Sequence, residues 1–344
     1  MSRRSLTLLL SGVLALGLLL SASVARVPYV ALLPGPVYDT LGAEKGTPTI
    51  AITGARTYGT DGRLDLLTVL VDSQLTLGSA VRGWFDRNEA VVPRDLVFGP
   101  GLTDKQVEQD NQRQMAESQD AATLAALHQL GIRSESVSVK SVPGGSPSEG
   151  RLQPGDVLRT VDDKPVLDGT SLRTLIAARQ PGQPAVIGYT RGGTLATATI
   201  TTTASTDQPP RPLIGVATAE TPDPQAPKVT INLKEVGGPS AGMMFALGII
   251  DKLGPDSLTG GRHIAGTGEI TADGTVGPIG GIGEKLLSAR RAGATLFLAP
   301  AGNCAEAARS LPAGLVVAKV ATLQDALTAL QTVRDGRAPV TCTG

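Results

Sequence analysis

The sequence predicts an α+β multidomain protein that begins with a transmembrane helix. Three observations support this fold class. The chain has 344 residues, more than one compact core normally holds. Short β-type runs and separate helical stretches follow one another along the chain. Residues 6–22 form an almost unbroken apolar run after Arg3 and Arg4. A composition of 41% hydrophobic and 18% charged residues is typical of globular proteins.

The apolar run near the N-terminus assigns residues 1–26 to a membrane anchor or signal segment. About 17–20 such residues can span the hydrocarbon core, and positive charge before them keeps the N-terminus in the cytoplasm. Ser23-Val24-Ala25 also offers a cleavage site, so a removed signal peptide is the alternative. In both interpretations the residues after this segment are exported from the cytoplasm. We therefore expect a single-pass protein of the cell membrane with an extracytoplasmic catalytic body.

Charge and composition exclude several classes of function. Lys+Arg and Asp+Glu both number 31 and aromatics are 3%, so no nucleic-acid partner is expected. His128 and His263 are the only histidines, and no metal-ligand motif or cofactor is predicted. Cys304 and Cys342 permit one disulfide in an exported protein, with two unpaired thiols as the alternative.

The middle of the chain predicts two regions. Residues 27–130 read as an N-terminal α/β region that ends in a helix from Thr103 to about Leu130, in which His128 is a packing or surface residue. Residues 145–166, GSPSEGRLQPGDVLRTVDDKPV, resemble the core of a bacterial PDZ domain. The resemblance implies a PDZ domain over 131–207 that adds an extended peptide to its sheet edge, with a helix at 169–180 beside the groove. A small β-domain that only serves as a spacer is the alternative.

A strand, a turn and a helix surround Ser240. Residues 228–234 alternate as a strand, Gly237-Gly238-Pro239 turns the chain, and residues 240–253 are apolar on nearly every face. A helix that is apolar all round is buried. Ser240 would then stand at a helix N-terminus, where N–H groups and the helix dipole can stabilise an oxyanion. The alternative is that Ser240 is only an N-cap.

The same turn satisfies a second motif. Residues 238–242 fit G-x-S-x-G, the nucleophile elbow of α/β-hydrolases. That fold needs an acid and then a histidine downstream, and His263 is the only histidine after Ser240. Too few residues follow for the rest of the fold, so an esterase of this type is a lesser alternative.

Lys285 is the candidate base. It lies in a predicted helix beside Ala289 and Ala292, away from the polar face that carries Ser288. A lysine on a face of small side chains can be buried, which lowers its pKa towards the range of a general base. A solvated helix lysine is the alternative.

Taken together, two segments resemble the proteolytic domain of Lon proteases. They are GGPSAG around Ser240 and TGEITADGTVGPIGGIGEKLLSARRAG, residues 267–293, within a resemblance that covers about 228–303. The resemblance implies a Lon-type domain over 208–344, with Ser240 as nucleophile, Lys285 as general base and Thr267 as the hydroxyl that orients the lysine. It also implies a homo-oligomer, a ring of six as in Lon.

The predicted function follows from this combination. The sequence contains no G-x-x-x-x-G-K-[ST] phosphate loop. The PDZ-like segment and the N-terminal segment are similar to those of PDZ-containing Lon-like proteases of bacterial envelopes. We therefore predict an ATP-independent serine endopeptidase, anchored and facing outward, whose PDZ domain recruits or gates peptide or protein substrates. A non-catalytic, anchored peptide-binding scaffold is the alternative.

Overall fold

A computed structural model describes residues 3–86, 89–233 and 236–342. It divides into two compact units. The first contains the described residues of Met1–Ala51, Tyr58–Thr123 and Ile231–Gly344, and we call it the catalytic unit because it holds the candidate residues Ser240, Thr267 and Lys285. The second contains Ile52–Thr57 and Leu124–Thr230, and we call it the peptide-binding unit after the function that its resemblance to PDZ domains implies. The catalytic unit thus joins sequence segments from both ends of the chain. The domain boundaries given above stay predictions.

The helices of the described residues account for the long helical patterns in the sequence. In chain order they are α1 Arg3–Val24, α2 Leu77–Gly83, α3 Arg94–Phe98, α4 Asp104–Gln129, α5 Gly169–Ala177, α6 Gly242–Leu253, α7 Ile282–Ala292, α8 Cys304–Arg309 and α9 Leu323–Arg334.

The strands are mostly short and are separated by turns rich in glycine and proline. In chain order they are β1 Tyr29–Asp39, β2 Ala43–Glu44, β3 Thr47–Pro48, β4 Ile50–Thr53, β5 Arg63–Asp72, β6 Ala90–Pro93, β7 Glu135–Ser141, β8 Val157–Val161, β9 Lys164–Pro165, β10 Pro184–Arg191, β11 Thr194–Thr201, β12 Thr203–Ala204, β13 Pro212–Leu213, β14 Ala217–Pro222, β15 Lys228–Ile231, β16 His263–Gly266, β17 Glu269–Ile270, β18 Val276–Gly277, β19 Leu296–Pro300 and β20 Val316–Val320.

One mixed sheet organises the catalytic unit, in the order β20-β19-β16-β5-β1-β6. Strand β16 runs parallel to both β19 and β5, whereas β1 pairs antiparallel with β5 and with β6. Strands from the N-terminal part of the chain therefore complete a sheet begun by its C-terminal part. The carboxyl end of β16 leads directly into Thr267.

Helices α6 and α7 hold the remaining site residues. Every residue of α6 from Gly242 to Asp251 is buried, as its apolar composition predicts. This helix begins at Gly242 rather than at residue 240. Helix α7 follows Gly281 and ends before Gly293, and both glycines have positive φ angles (68° and 92°) that suit glycine.

An antiparallel sheet, β11-β10-β8-β7-β14, forms the peptide-binding unit, and β9 pairs with β8. Its core contains Val137, Leu158, Ile187 and Ile200. Asp168 begins α5 with a capping box, because its side chain accepts from the Ser171 backbone N–H while the Ser171 hydroxyl accepts from the Asp168 backbone N–H.

The predicted transmembrane helix is wrong. Helix α1 forms, but within the described residues no helix has the length and apolar character that crossing a bilayer requires. The 22 residues of α1 include Arg3 and Arg4 and several Ser, Thr and Gly residues, so its apolar run, residues 6–22, is only at the lower limit of the length that a span requires.

The two cysteines are bonded. A disulfide joins Cys304, at the start of α8, to Cys342. The alternative of two unpaired thiols is therefore wrong. The bond fixes the segment after α9 to the catalytic unit.

Candidate active site

Ser240 lies in a turn that two residues of α4 hold in place. Gly238 has a φ angle of 81°, and its N–H donates to the Asn111 carbonyl at 2.9 Å. The Ser118 hydroxyl donates to the Pro239 carbonyl at 2.9 Å. The predicted strand before this turn ends at Ile231 in the structure, and its last expected position, 234, lies outside the described residues.

Thr267 fixes the backbone of the serine. Its hydroxyl donates to the Ser240 carbonyl at 2.9 Å, and the Gly268 N–H donates to the same oxygen at 2.8 Å. Thr267 itself is 1% exposed, and its N–H bonds the Leu298 carbonyl of β19. The parallel strands β16 and β19 thus position this hydroxyl rigidly.

Lys285 joins the two hydroxyl groups. Its Nζ lies 2.8 Å from Ser240 Oγ and 2.8 Å from Thr267 Oγ1. We call Ser240, Thr267 and Lys285 the dyad cluster. The proton of the Thr267 hydroxyl is engaged with the Ser240 carbonyl, so that hydroxyl must accept from the lysine. A neutral Lys285 therefore has a lone pair free to accept the proton of Ser240.

Burial lowers the pKa of Lys285 to about 7. The residue is 2% exposed and is the fourth residue of α7, near the positive end of the helix dipole. Desolvation disfavours the ammonium form, and the nearby Glu269 carboxylate opposes this by raising the pKa. The prediction that small neighbours allow burial agrees with this position, whereas Ser288, expected on a polar face, is also buried and donates to the Gly35 carbonyl.

Glu269 is a site residue that the sequence did not single out. It is half-buried in β17, lines the same cavity as Ser240 and Lys285, and burial raises the pKa of its carboxyl. Its position two residues after Thr267 was the available signal. An alternating side-chain direction brings residues 267 and 269 to one side of an extended chain.

Neither histidine reaches the dyad cluster. His263 stands at the opposite end of β16, about 13 Å along the strand from Thr267 at 3.3 Å per residue. Its Nε2 bonds the buried Asp65 carboxylate, which also accepts from Arg63. We call Arg63, Asp65 and His263 the aspartate cluster. His128 lies 3.2 Å from Asp168 in the peptide-binding unit, consistent with a packing role.

This geometry bears on two alternatives for Ser240. The N-cap of α6 is Ala241, without a side-chain cap bond, so Ser240 is not an N-cap. The α/β-hydrolase alternative needs a histidine at the serine, and His263 is engaged elsewhere. In the described part of the chain, no group of three or more His, Cys, Asp or Glu side chains is placed to hold a metal ion.

The dyad cluster opens into a cavity of about 670 Å³. Its lining includes Ser240, Lys285 and Glu269, and most of the other lining side chains are apolar. A hydroxyl, a buried amine of lowered pKa and an adjoining groove are the features that a hydrolytic site of the serine–lysine type requires.

Two family models match this chain. Residues 232–332 match the C-terminal proteolytic domain of Lon protease (S16), and residues 108–202 match the PDZ domain. The matches confirm the predicted combination of a Lon-type proteolytic domain with a PDZ domain. They also confirm the predicted enzyme class, a serine peptidase domain. The roles of Ser240, Thr267 and Lys285 stay predictions.

Curated relatives align with the C-terminal region. Lon protease of Roseiflexus castenholzii is 45% identical over 75 residues, which is 22% of this chain and 9% of that protein. Lon protease 1 of Sorangium cellulosum is 49% identical over 69 residues, 20% and 8% of the two chains. Lon protease 1 of Bacillus subtilis is 46% identical over 66 residues, 19% and 8%. The aligned part of this chain therefore spans less than a tenth of each relative.

Solved structures resemble the PDZ region. The PDZ domain of an SdrC-like protein from Listeria monocytogenes is 27% identical, covers 24% of this chain and 85% of its own, and has a TM-score of 0.23. The corresponding domain from Listeria innocua is 25% identical, with coverages of 24% and 92% and a TM-score of 0.23.

Proposed function

We propose that this protein is a serine endopeptidase that hydrolyses peptide bonds of unfolded polypeptides without a nucleotide. Ser240 acts as the nucleophile, Lys285 as the general base and Thr267 as the residue that positions the lysine. The observation that carries the proposal is the placement of one buried amine at 2.8 Å from both hydroxyl groups.

Acylation uses the proton of Ser240. Neutral Lys285 accepts this proton while Ser240 Oγ forms a bond to the peptide carbonyl carbon. The positive end of the α6 dipole stabilises the negative charge that develops on the carbonyl oxygen, while the N–H groups of Gly242 and Met243 are engaged by the Pro239 and Gly268 carbonyls. Lys285 then gives the proton to the leaving amine as the C–N bond breaks, which leaves an acyl-enzyme on Ser240.

Deacylation repeats the same transfers with water. Lys285 accepts a proton from water, whose oxygen attacks the acyl carbon. When the ester bond breaks, the proton returns to Ser240 Oγ, and the carboxylic acid product departs and ionises. Thr267 keeps Lys285 aimed at Ser240 throughout, because its hydroxyl proton is engaged by the Ser240 carbonyl.

The substrate would reach this site as a flexible chain. Strand β14 is an edge strand of the sheet in the peptide-binding unit, and α5 and residues 212–218 line a groove beside it. Edge strands of PDZ domains accept an extended peptide through backbone hydrogen bonds. The proposed role of this groove is to recruit unfolded protein or peptide substrates.

The proposal also includes independence from ATP and an extracytoplasmic location. ATP independence is supported by the lack of a phosphate-loop motif in the sequence. An extracytoplasmic location is supported by the Cys304–Cys342 disulfide, because such bonds persist in oxidising compartments. The homo-oligomer implied by the resemblance to Lon stays a prediction.

The experiment is digestion of casein by the purified full chain without nucleotide, together with labelling by a fluorophosphonate probe. We expect Ser240→Ala to lose labelling and at least ~10³-fold of the cleavage rate. Ser257→Ala, which removes a serine at the other end of α6, should retain both. Equal cleavage by wild type and Ser240→Ala would contradict the proposal.

A further inference from the structure

Two glutamates face each other on neighbouring strands of the peptide-binding unit. Glu220 of β14 pairs with Val137 of β7, and Glu135 lies two residues before Val137. Side chains two residues apart on a strand point to the same face, so the two glutamates are diagonal neighbours there. Their carboxyl groups lie within hydrogen-bonding reach of each other, and one of them must carry a proton for this bond to form.

The Glu220 carboxylate also reaches the start of α5. A Cβ atom on Gly169, the first residue of α5, would collide with Glu220 Oε1, so the missing side chain makes room for this carboxylate. Arg173, one turn further along α5, lies 3.6 Å from the same oxygen. The positive end of the helix dipole and the guanidinium both favour an ionised carboxylate at this point. The shared proton therefore belongs to Glu135.

Glu135 is the group whose charge changes with pH. Burial raises the pKa of its carboxyl, and the adjoining Glu220 carboxylate raises this pKa further. Asp168, the N-cap of α5, acts in the same direction, whereas Arg173 opposes it. The other titratable or charged side chains on the elements packed around the two glutamates are His128, 3.2 Å from Asp168, and the pair Arg133 and Asp223, 3.8 Å apart. Ionisation of Glu135 places a further negative charge beside Glu220 and Asp168, so it weakens the contact between β14 and α5.

The contact adjoins the groove of the peptide-binding unit. Thr170 and Arg173 of α5 line one wall of this groove, and Thr218 of β14 lines the other. The cavity between these walls measures about 750 Å³. Arg173 thus borders the groove and lies beside Glu220, so a change at the two glutamates is felt by a side chain that a bound peptide would meet.

We propose that Glu135 and Glu220 form a proton-dependent latch that holds β14 against α5, so that the groove binds peptide more tightly when Glu135 is protonated. This inference rests on the peptide-binding role proposed for the groove. With the latch closed, both walls are in place before a peptide arrives, and binding carries a smaller ordering cost. Ionisation of Glu135 releases Glu220 from α5 and leaves Arg173 without this carboxylate.

The direction of the pH effect follows from Glu135. Its ordinary pKa is 4.5 and its pKa in the folded chain is raised, so the folded chain keeps a proton over a pH range in which the unfolded chain has lost it. The stabilisation by the latch is complete below pH 4.5 and is lost as pH rises through the raised pKa. Peptide affinity should fall over the same range.

The test measures peptide binding by the full chain with Ser240→Ala, so that bound peptide is not cleaved. The probe is a rhodamine-labelled ten-residue peptide of serine, glycine, leucine and valine with a free carboxyl terminus, which has no titratable side chain. Fluorescence anisotropy gives its affinity at pH 4.5 and pH 8 for this parent, for Glu135→Gln and for the control Asp163→Asn. Asp163 is an exposed carboxylate in the turn between β8 and β9, and its φ of 63° suits asparagine.

Glu135→Gln keeps a side chain that can donate to Glu220 but cannot ionise. We expect the parent and Asp163→Asn to bind the peptide at least ~3-fold more weakly at pH 8 than at pH 4.5, and Glu135→Gln to bind equally well at both. The ratio of the Glu135→Gln affinity to the parent affinity cancels other titrating groups, including His128. A ratio that is the same at both pH values would overturn the inference.

Hydrogen exchange of the β14 amides measures the latch without a peptide. After correction for intrinsic exchange rates, protection of residues 217–221 should fall between pH 4.5 and pH 8 in the parent and stay constant in Glu135→Gln. The same fall in both proteins would also contradict a latch at Glu135.

Failure of the proposed function is distinguishable. If none of the three proteins binds the peptide at either pH, the peptide-binding role of the groove falls, and this inference falls with it. If the peptide binds with the same pH dependence in the parent and in Glu135→Gln, only this inference is wrong. Neither result bears on the dyad cluster, because every protein in the test carries Ser240→Ala.

Discussion

Each end of strand β16 lies at a polar cluster around one buried ionisable group, and the two clusters differ in how the charge of that group is compensated. At its amino end, the aspartate cluster surrounds a fully buried carboxylate with a guanidinium and an imidazole. At its carboxyl end, the dyad cluster surrounds a buried amine with two hydroxyl groups. The first arrangement pairs a carboxylate with basic side chains, and in the second the burial of the amine favours its neutral form.

This difference shows how residue type can mislead. An aspartate bonded to a histidine is a familiar part of hydrolytic triads, yet here Asp65 bonds His263 far from Ser240 and also accepts from Arg63. A buried ionisable group with only neutral hydrogen-bond partners is the better indication of chemistry, because its pKa is shifted towards working pH.

Lys285→Met should have the largest effect, with cleavage reduced at least ~10³-fold and stability increased. The pKa of Lys285 is about 7 in the folded chain against an ordinary value of 10.5. The unfolded chain therefore binds more protons between these values, and the cost of burying the lysine grows as pH falls from 10.5 to 7 and is complete below 7. At 1.36 kcal/mol per pKa unit, burying the lysine costs at most about 5 kcal/mol of stability. We expect Lys285→Met to raise the free energy of unfolding by about 1–3 kcal/mol at pH 7.

Urea unfolding at pH 7 and pH 10 measures this gain, which should shrink at the higher pH. Lys319→Met provides the control, since Lys319 is exposed on β20 and lies outside the dyad cluster. A Lys285→Met variant that is destabilised equally at both pH values would contradict the account.

Thr267→Val should reduce the rate of Ser240 labelling about 10–100-fold. The variant keeps the volume but removes the hydroxyl that accepts from Lys285 and donates to the Ser240 carbonyl. Thr259→Val is the matched control, because Thr259 is equally buried and bonds the Asp61 carbonyl instead. Normal labelling in Thr267→Val, measured on protein that unfolds cooperatively in urea, would refute a positioning role.

Asp65→Asn should lower the free energy of unfolding and leave the cleavage rate nearly unchanged. Removing the buried charge leaves Arg63 and His263 without their carboxylate, at a cost of about 2–4 kcal/mol in the free energy of unfolding. Cleavage by the folded variant should stay within about threefold of wild type. A loss comparable to that of Lys285→Met would show that the aspartate cluster, too, serves the reaction.

Glu269→Gln should have the smallest effect, a displacement of the acid limb of the pH–rate profile to lower pH by less than about one unit. The Glu269 carboxylate raises the pKa of Lys285, so its removal lets the lysine stay neutral in more acidic solution. Glu284→Gln, on α7 beside the lysine, should leave the profile unchanged. A displacement to higher pH would contradict the assignment of Lys285 as the titrating base.

Local patterns in the sequence predicted much of this site. The glycine turn before Ser240, the apolar helix after it and the small neighbours of Lys285 are each readable within one element. The link between Ser240, Thr267 and Lys285 came from the resemblance to Lon, because residues 27 and 45 positions apart meet only through the sheet and its helices.

Other features depend on long-range packing and were not predictable from local patterns. The entry of β1, β5 and β6 into the sheet of the catalytic unit requires pairing across much of the chain. The contribution of Glu269 depends on its burial near Lys285, and the failure of the predicted transmembrane helix depends on the length of one apolar run.

The pH dependence of Ser240 acylation by the fluorophosphonate probe tests most directly whether Lys285 is the general base. If buried Lys285 takes the serine proton, the rate should rise with pH and reach half its maximum near pH 7, where the amine loses its proton. Lys285→Met should show no such step. A wild-type rate that is independent of pH between 5 and 9, or that rises only near pH 10, would contradict a lysine of lowered pKa as the base.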